Sequence, residues 1–195
     1  NLKERKQLTP KRNHQIIKKP QQKKQELKNR QRKNNENKTD FNMVTLQSGD
    51  NAPAFSALNQ NGEKISLSDF KDKKLILFFY PQAGTPTCTV EACNLKEHFS
   101  VLKKKGFTVI GISPDDVLKQ KKFEQKHQLP FSLLADQDAK IAKAYGVWDK
   151  KKLFGHEYMG ILRTTFVINE MGKIEKIFLK PRSKMHAQEI LEEVA

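Results

Sequence analysis

Apolar residues along this chain fall into short blocks separated by turn residues. The densest block is Leu75–Tyr80 (LILFFY), an unbroken apolar run. A run that short, closed by turn residues, predicts a strand buried on both faces. It breaks at Pro81 and Gly84, and the pattern restarts with helical spacing after Thr85-Pro86. Thr85 suits an N-cap, Pro86 the first helical position and Gly106 the stop, so one helix is predicted between them. Upstream, Asn61-Gly62 is a hairpin turn signal between strands predicted at Ala54–Leu58 and Lys64–Leu67. Downstream, Thr108–Ser113 predicts a second buried strand. A helix is expected to start at Ser113-Pro114-Asp115-Asp116 and to run to about Gln128, before Pro130. Phe131–Ala135 predicts another strand, and Asp138 is expected to cap a short helix ending at Tyr145-Gly146. Thr164–Asn169 and Lys173–Leu179 flank Glu170-Met171-Gly172 as a second hairpin, and Met185–Val194 predicts a closing amphipathic helix. The order implies an α/β fold: a mixed central sheet with helices on both faces and an N-terminal hairpin extension.

Charge changes the picture only at one end. The 195 residues carry a formal +15, of which +10 belongs to residues 1–40. That segment is Lys, Asn and Gln in bulk and lacks aromatic residues. It cannot bury enough surface to offset its ordering entropy, so residues 1–40 are expected to be a disordered basic extension and 41–195 the folded domain. The basic clusters Lys11-Arg12, Lys18-Lys19, Lys23-Lys24 and Arg30–Lys33 resemble a nuclear localisation patch. A nuclear location is the expectation, with an organelle reached by a transit peptide, or the cytoplasm, as alternatives. The extension is also suited to non-specific, salt-sensitive contact with nucleic acid, though not to stacking on bases. No apolar run reaches the length of a membrane span, so no membrane contact is expected.

Chemistry concentrates at the two cysteines, Cys88 and Cys93. Cys88 falls in the first turn of a helix leaving a core strand, where free N–H groups and the helix dipole favour a thiolate over a thiol. Three uses are open: two buried small residues, a metal site, or thiol redox chemistry. The first suits Cys93 better than Cys88. C-x4-C with five scattered histidines does not match a four-ligand zinc site, nor is it the C-x-x-C of a disulfide exchanger. On an intact helix, residues five apart lie roughly 8–9 Å apart at Cα and point away from each other. A disulfide needs about 7 Å or less. The pair can therefore bond only if the first turns unwind, after which Cys93 could condense with a sulfenic acid at Cys88. Among the remaining candidates, Glu91 reads as a first-turn acid favouring the dipole and Tyr145 and Trp148 as packing. His98, His127, His156 and His186 have no triad-like partners in sequence.

Pro81-x3-Thr85-x2-Cys88 matches the active-site signature of peroxiredoxins. FFYPQAGTPTCTVEACNLKEHF, with GDNAPAFSALNQNGEKISLSDFKDKK before it and YGVWDKKKLFGHEYMGILRTTFVI after it, resembles the atypical two-cysteine class called peroxiredoxin Q or bacterioferritin comigratory protein. The resemblance runs from about Gly49 to the C-terminus and leaves out residues 1–40. Thr87 departs from it, where glycine is frequent. The resemblance implies a thioredoxin-like fold and reduction of hydrogen peroxide or organic hydroperoxides without metal or bound cofactor. It implies Cys88 as peroxidatic and Cys93 as resolving cysteine, with thioredoxin or glutaredoxin as reductant and a monomeric state. Thr85 would orient the peroxide, Pro81 would shield the sulfenic acid, and Arg163 would stabilise the thiolate and the departing hydroxide. A second class of function remains beside it: a redox sensor held on nucleic acid by the basic extension.

Overall fold

The computed structural model describes residues 44–153 and 155–194. The basic extension, and with it the domain boundary expected at residue 41, lies outside the described residues.

Nine strands and five helices are described, in the order β1 (Ser56–Asn59), β2 (Lys64–Ser66), β3 (Lys74–Phe79), α1 (Pro86–Glu97), α2 (Phe99–Lys104), β4 (Phe107–Ser113), α3 (Val117–His127), β5 (Ser132–Ala135), α4 (Lys140–Ala144), β6 (Trp148–Leu153), β7 (His156–Ile161), β8 (Thr164–Ile168), β9 (Ile174–Leu179) and α5 (His186–Val194). Seven strands form one sheet in the order β2-β1-β5-β4-β3-β8-β9. β3 and β5 pair with β4 in parallel, and the other neighbours are antiparallel.

Alternation along β3 divides the interior. Ile76, Phe78 and Tyr80 face one apolar core with Cys88, Ala92, Leu95, Phe123 and Ile190. Leu75, Leu77 and Phe79 face a second core with Ile141, Tyr145, Val147, Ile161 and Phe166. Successive side chains of a strand point to opposite faces, so a fully apolar strand has to be covered on both. Gly111 on β4 allows the close fit: a Cβ there would lie 2.7 Å from the Phe78 ring.

Several details differ from the pattern-based expectation. The helix predicted up to Gly106 is two helices, because at His98 the backbone opens (φ −100°, ψ 6°) and α2 starts afresh. The first hairpin is not closed by a two-residue Asn61-Gly62 turn. Asn59 pairs with Glu63, and its side-chain oxygen collects the N–H groups of Asn61 and Glu63. Ser113 completes β4, and α3 is capped by Asp116, which accepts from Lys119 N at 2.7 Å. Asp136, not Asp138, tethers α4, accepting from the N–H groups of Ile141 and Ala142. The β6–β7 hairpin has no counterpart in the predicted elements. Its residues are polar or charged at most positions and form a separate two-stranded sheet, so no apolar alternation marks it.

His186 has partners that sequence spacing hides. It is fully buried, with Nε2 2.8 Å from Thr165 Oγ1 and Nδ1 3.6 Å from Glu189 Oε2. Thr165 is fully buried as well, so no substrate reaches this alignment and it acts as a structural tie between β8 and α5. Burial pushes the imidazole down to about 4, with Glu189 opposing and Arg163 adding to the effect. The unfolded chain titrates near the ordinary 6.5, so between those values it binds a proton that the folded chain refuses. Stability from this position is full above about pH 6.5 and falls as pH drops towards 4. Urea midpoints measured across that range are expected to fall less steeply in His186→Asn than in the parent. Equal slopes would show that His186 does not titrate in this way.

Candidate active site

The site forms where β3 ends and α1 begins, at the carboxyl edge of the parallel strands, the usual place for a site in an open α/β sheet. Pro81 and Thr85, both half-buried, bound the turn between them. Gly84 takes φ +80°, a conformation that an L side chain rarely adopts. Thr85 is the N-cap residue of α1 by position, but its hydroxyl does not cap. It donates instead to the Gln82 carbonyl at 3.1 Å, inside the turn. The cap role expected of it is therefore not observed, and the Thr85 hydroxyl takes up none of the N–H groups of the first turn.

Cys88 lies in that first turn and is 2% exposed. Arg163 reaches it through strand register. Phe79, the last residue of β3, pairs with Thr164, the first of β8, which sets the preceding Arg163 beside the end of β3. Arg163 Nη2 donates to Cys88 Sγ at 3.1 Å, and Nη1 forms an ion pair with the Glu91 carboxylate. Burial works against the arginine's charge, yet Glu91 and Cys88 outweigh it and hold the guanidinium protonated. A second cation stands nearby. Half-buried Lys151 on β6 donates to the Ile161 carbonyl at 3.1 Å, and burial and Arg163 weaken its hold on its proton while Cys88 strengthens it.

Glu91 corrects the sequence reading. It is not a first-turn acid exposed to the dipole but a fully buried carboxylate one turn beyond Cys88. Burial pushes its carboxyl up to about 7 against the pull of Arg163. A signal was available: Cys88, Glu91, Ala92 and Leu95 fall at i, i+3, i+4 and i+7, so Glu91 occupies the apolar stripe of its helix. Cys93, by contrast, is only partly buried, and both cysteines are free thiols. The structure thus brings Cys88, Arg163, Thr85 and Pro81 to one end of β3 and leaves Cys93 further along α1.

Below the turn runs a buried polar chain. The Tyr80 hydroxyl donates to Gln120 Oε1, and Gln120 Nε2 donates to Ser113 Oγ at 2.9 Å. Ser113 Oγ donates to Asp115 Oδ2 at 2.7 Å, and the same oxygen accepts from Ala83 N at 2.6 Å. Burial pushes the Tyr80 phenol far up, so it stays a neutral donor. Among the described residues, no group of three or more His, Cys, Asp or Glu is arranged to hold a metal ion, and no helix is long and apolar enough to cross a membrane.

The sequence profile of the AhpC/TSA family matches residues 48–177. The chain belongs to this peroxiredoxin family. Peroxiredoxin Bcp of Bacillus subtilis is 42% identical over 149 residues, spanning 76% of this chain and 95% of the relative. The crystal structure of peroxidoxin BcpB from Mycobacterium tuberculosis superposes with a TM-score of 0.68 at 33% identity, covering 76% of this chain and 96% of that one. A mutant of Xylella fastidiosa PrxQ superposes with a TM-score of 0.72 at 27% identity, covering 76% and 95%. The protein is therefore a peroxiredoxin of the Bcp/PrxQ class with a thioredoxin-like fold, and its activity is thiol-dependent reduction of peroxides. In this peroxiredoxin the β1–β2 hairpin extends one edge of the central sheet, and the β6–β7 hairpin stands apart from it as its own two-stranded sheet.

Proposed function

We propose that this peroxiredoxin reduces hydrogen peroxide and organic hydroperoxides through Cys88, forms an internal Cys88–Cys93 disulfide, and is restored by thioredoxin or a similar dithiol. The observation that carries the reading is the Arg163 guanidinium at 3.1 Å from the Cys88 sulfur in the first turn of α1. A thiolate there is met by a fixed cation and by free helical N–H groups. It attacks the distal peroxide oxygen and becomes a sulfenic acid as the O–O bond breaks. The departing oxygen leaves as hydroxide or alkoxide, stabilised by Arg163, and takes up a proton. Thr85 directs its hydroxyl at the peroxide by exchanging its present partner, the Gln82 carbonyl, for substrate. Pro81 walls the pocket.

The Cys93 thiol gives up its proton and its sulfur attacks the Cys88 sulfur, the S–O bond breaks, and the hydroxide takes up that proton and leaves as water. Both cysteines lie on α1 five residues apart, so the first turns must unwind before this bond forms. An external dithiol exchanges with the disulfide in two steps, returning two thiols here and leaving its own disulfide.

Intact mass after one equivalent of hydrogen peroxide tests the cycle, with thiols blocked afterwards. Loss of two hydrogens with neither cysteine blocked is expected. Two free thiols after minutes would refute an activated Cys88. In Cys93→Ser the same treatment is expected to add one oxygen and stop, giving single-turnover oxidation with recycling slowed. Full thioredoxin-driven turnover by that variant would sink the resolving role.

A further inference from the structure

We propose that Asp115 is a positioning residue for the peroxidase reaction, acting through the Ala83 N–H to hold the Pro81–Thr85 turn in the shape that keeps Cys88 beside Arg163. Among the described residues, two hydrogen bonds join residues 81–85 to other elements of the fold: the Thr85 carbonyl accepts from Thr89 N as the opening bond of α1, and Ala83 N donates to Asp115 Oδ2 at 2.6 Å, the one tie to the β4–α3 connection. The only other side-chain bond in the turn, from Thr85 to Gln82, is internal to it. The turn itself has a positive φ at Gly84 and a proline at its start.

The carboxylate is itself fixed. Ser113 Oγ donates to the oxygen that receives Ala83, Gln120 holds Ser113, and the Tyr80 hydroxyl holds Gln120. Gln120 is anchored in turn by the Leu134 carbonyl at 2.9 Å, and Lys119 pairs with the outer oxygen of Asp115. The chain of bonds leaves the backbone at Tyr80 and returns to it at Ala83, so it brackets Pro81 from beneath. Tyr80, Ser113 and Gln120 are at most 1% exposed, and Asp115 8%. A fully satisfied buried network rigidifies what it touches, and a charged acceptor strengthens its last link.

Holding the turn has opposite consequences for the two halves of the cycle. The ordered turn forms the pocket in which Cys88 meets peroxide. Disulfide formation, on the reading proposed above, requires the first turns of α1, which start where this turn ends, to unwind. Weakening the hold is therefore expected to slow the first step and speed the second, a signature that general damage to the fold does not produce.

The experiment measures two rates by rapid mixing. Oxidation of Cys88 by hydrogen peroxide is followed in a Cys93→Ser background, where no second step intervenes. Disulfide formation is followed in the two-cysteine protein. Losing a hydrogen bond to a charged acceptor corresponds to about 10–100-fold in population of the ordered turn. Asp115→Ala is expected to slow oxidation by about that factor and to accelerate disulfide formation. Asp115→Asn keeps an acceptor oxygen without the charge and is expected to fall between Asp115→Ala and the parent in both rates. If Asp115→Ala does not fold, the asparagine variant decides. Oxidation within about twofold of the parent, or both steps slowed together, would overturn the proposal. Absence of any disulfide in the parent would overturn the Cys88–Cys93 reading instead, leaving the oxidation rates to decide the role of Asp115.

Discussion

Replacing Cys88 by serine is expected to abolish peroxide reduction while the domain stays folded. A serine hydroxyl does not ionise at neutral pH, and oxygen cannot take up a peroxide oxygen as sulfur does to give a sulfenic acid. Cys93 offers no substitute. It lies further along α1 and is partly exposed, and the arginine hydrogen bond goes to Cys88. The size of the two side chains is nearly the same, and the new hydroxyl can accept the Arg163 bond that the sulfur accepts now. Peroxide consumption should fall to that of buffer while circular dichroism and the urea midpoint move little. Turnover surviving in the variant with thioredoxin present would transfer the chemistry to another group.

Arg163→Met is expected to lower the oxidation rate by about 10²–10³, the usual effect of removing one donor aimed at developing negative charge. It should also destabilise the fold. Glu91 is fully buried and loses its ion-pair partner, a situation that typically costs about 3–5 kcal/mol. Here the carboxyl has an escape, because burial already pushes it up to about 7. Without Arg163 it takes a proton in the folded state at neutral pH, and the unfolded chain, near the ordinary 4.5, does not. A group whose affinity for the proton is raised on folding gives stability that is fully present below the unfolded value and is lost as pH rises through the folded one. The stability difference between parent and Arg163→Met should therefore shrink as pH falls from 8 to about 7, where the parent's Glu91 also takes its proton, and change little below that. Adding Glu91→Gln to Arg163→Met removes the stranded charge and should restore much of the stability, but none of the activity. Recovery of peroxidase rate in that double variant would reduce Arg163 to a partner for Glu91. Arg163→Lys should lie between, since a single ammonium cannot bond Cys88 and Glu91 through two separate nitrogens of one planar group.

The residues that announce themselves in the sequence are those whose role is local. The unbroken run ending at Tyr80 is β3 and the residue that follows it, and Pro86 opens α1 as its ring geometry requires. Cys88 stands in the first turn, where the spacing put it. Arg163 is different: nothing in its neighbourhood marks it among so many basic residues, and only the likeness to peroxiredoxins singled it out. Its approach to Cys88 depends on the β3–β8 register, a pairing across more than eighty positions of chain. Glu91 is partly legible, since it falls on the apolar stripe of α1, but its partner Arg163 arrives from beside that distant strand. The Asp115 network was invisible because Ser113-Pro114-Asp115-Asp116 satisfies the rule for a helix start so well. Asp116 alone does the capping, which frees Ser113 and Asp115 for the turn. Asp136 and Asp138 show a smaller version of this ambiguity, two acids within reach of one short helix.

The sheet also works as a bulkhead. Of its two apolar compartments, one contains Cys88 and is roofed by α1 and α5; the other contains Tyr145, Phe166 and Ile141 and has no part in the pocket. If the proposed disulfide forms and α1 loosens with it, only the first compartment should open to water, while the second keeps the strands in register. Amide exchange in the oxidised protein should consequently be lopsided, quickened along α1 and unchanged across α4 and the far side of β8. A probe or fusion partner attached to that quiet side would ride through the redox cycle without sensing it.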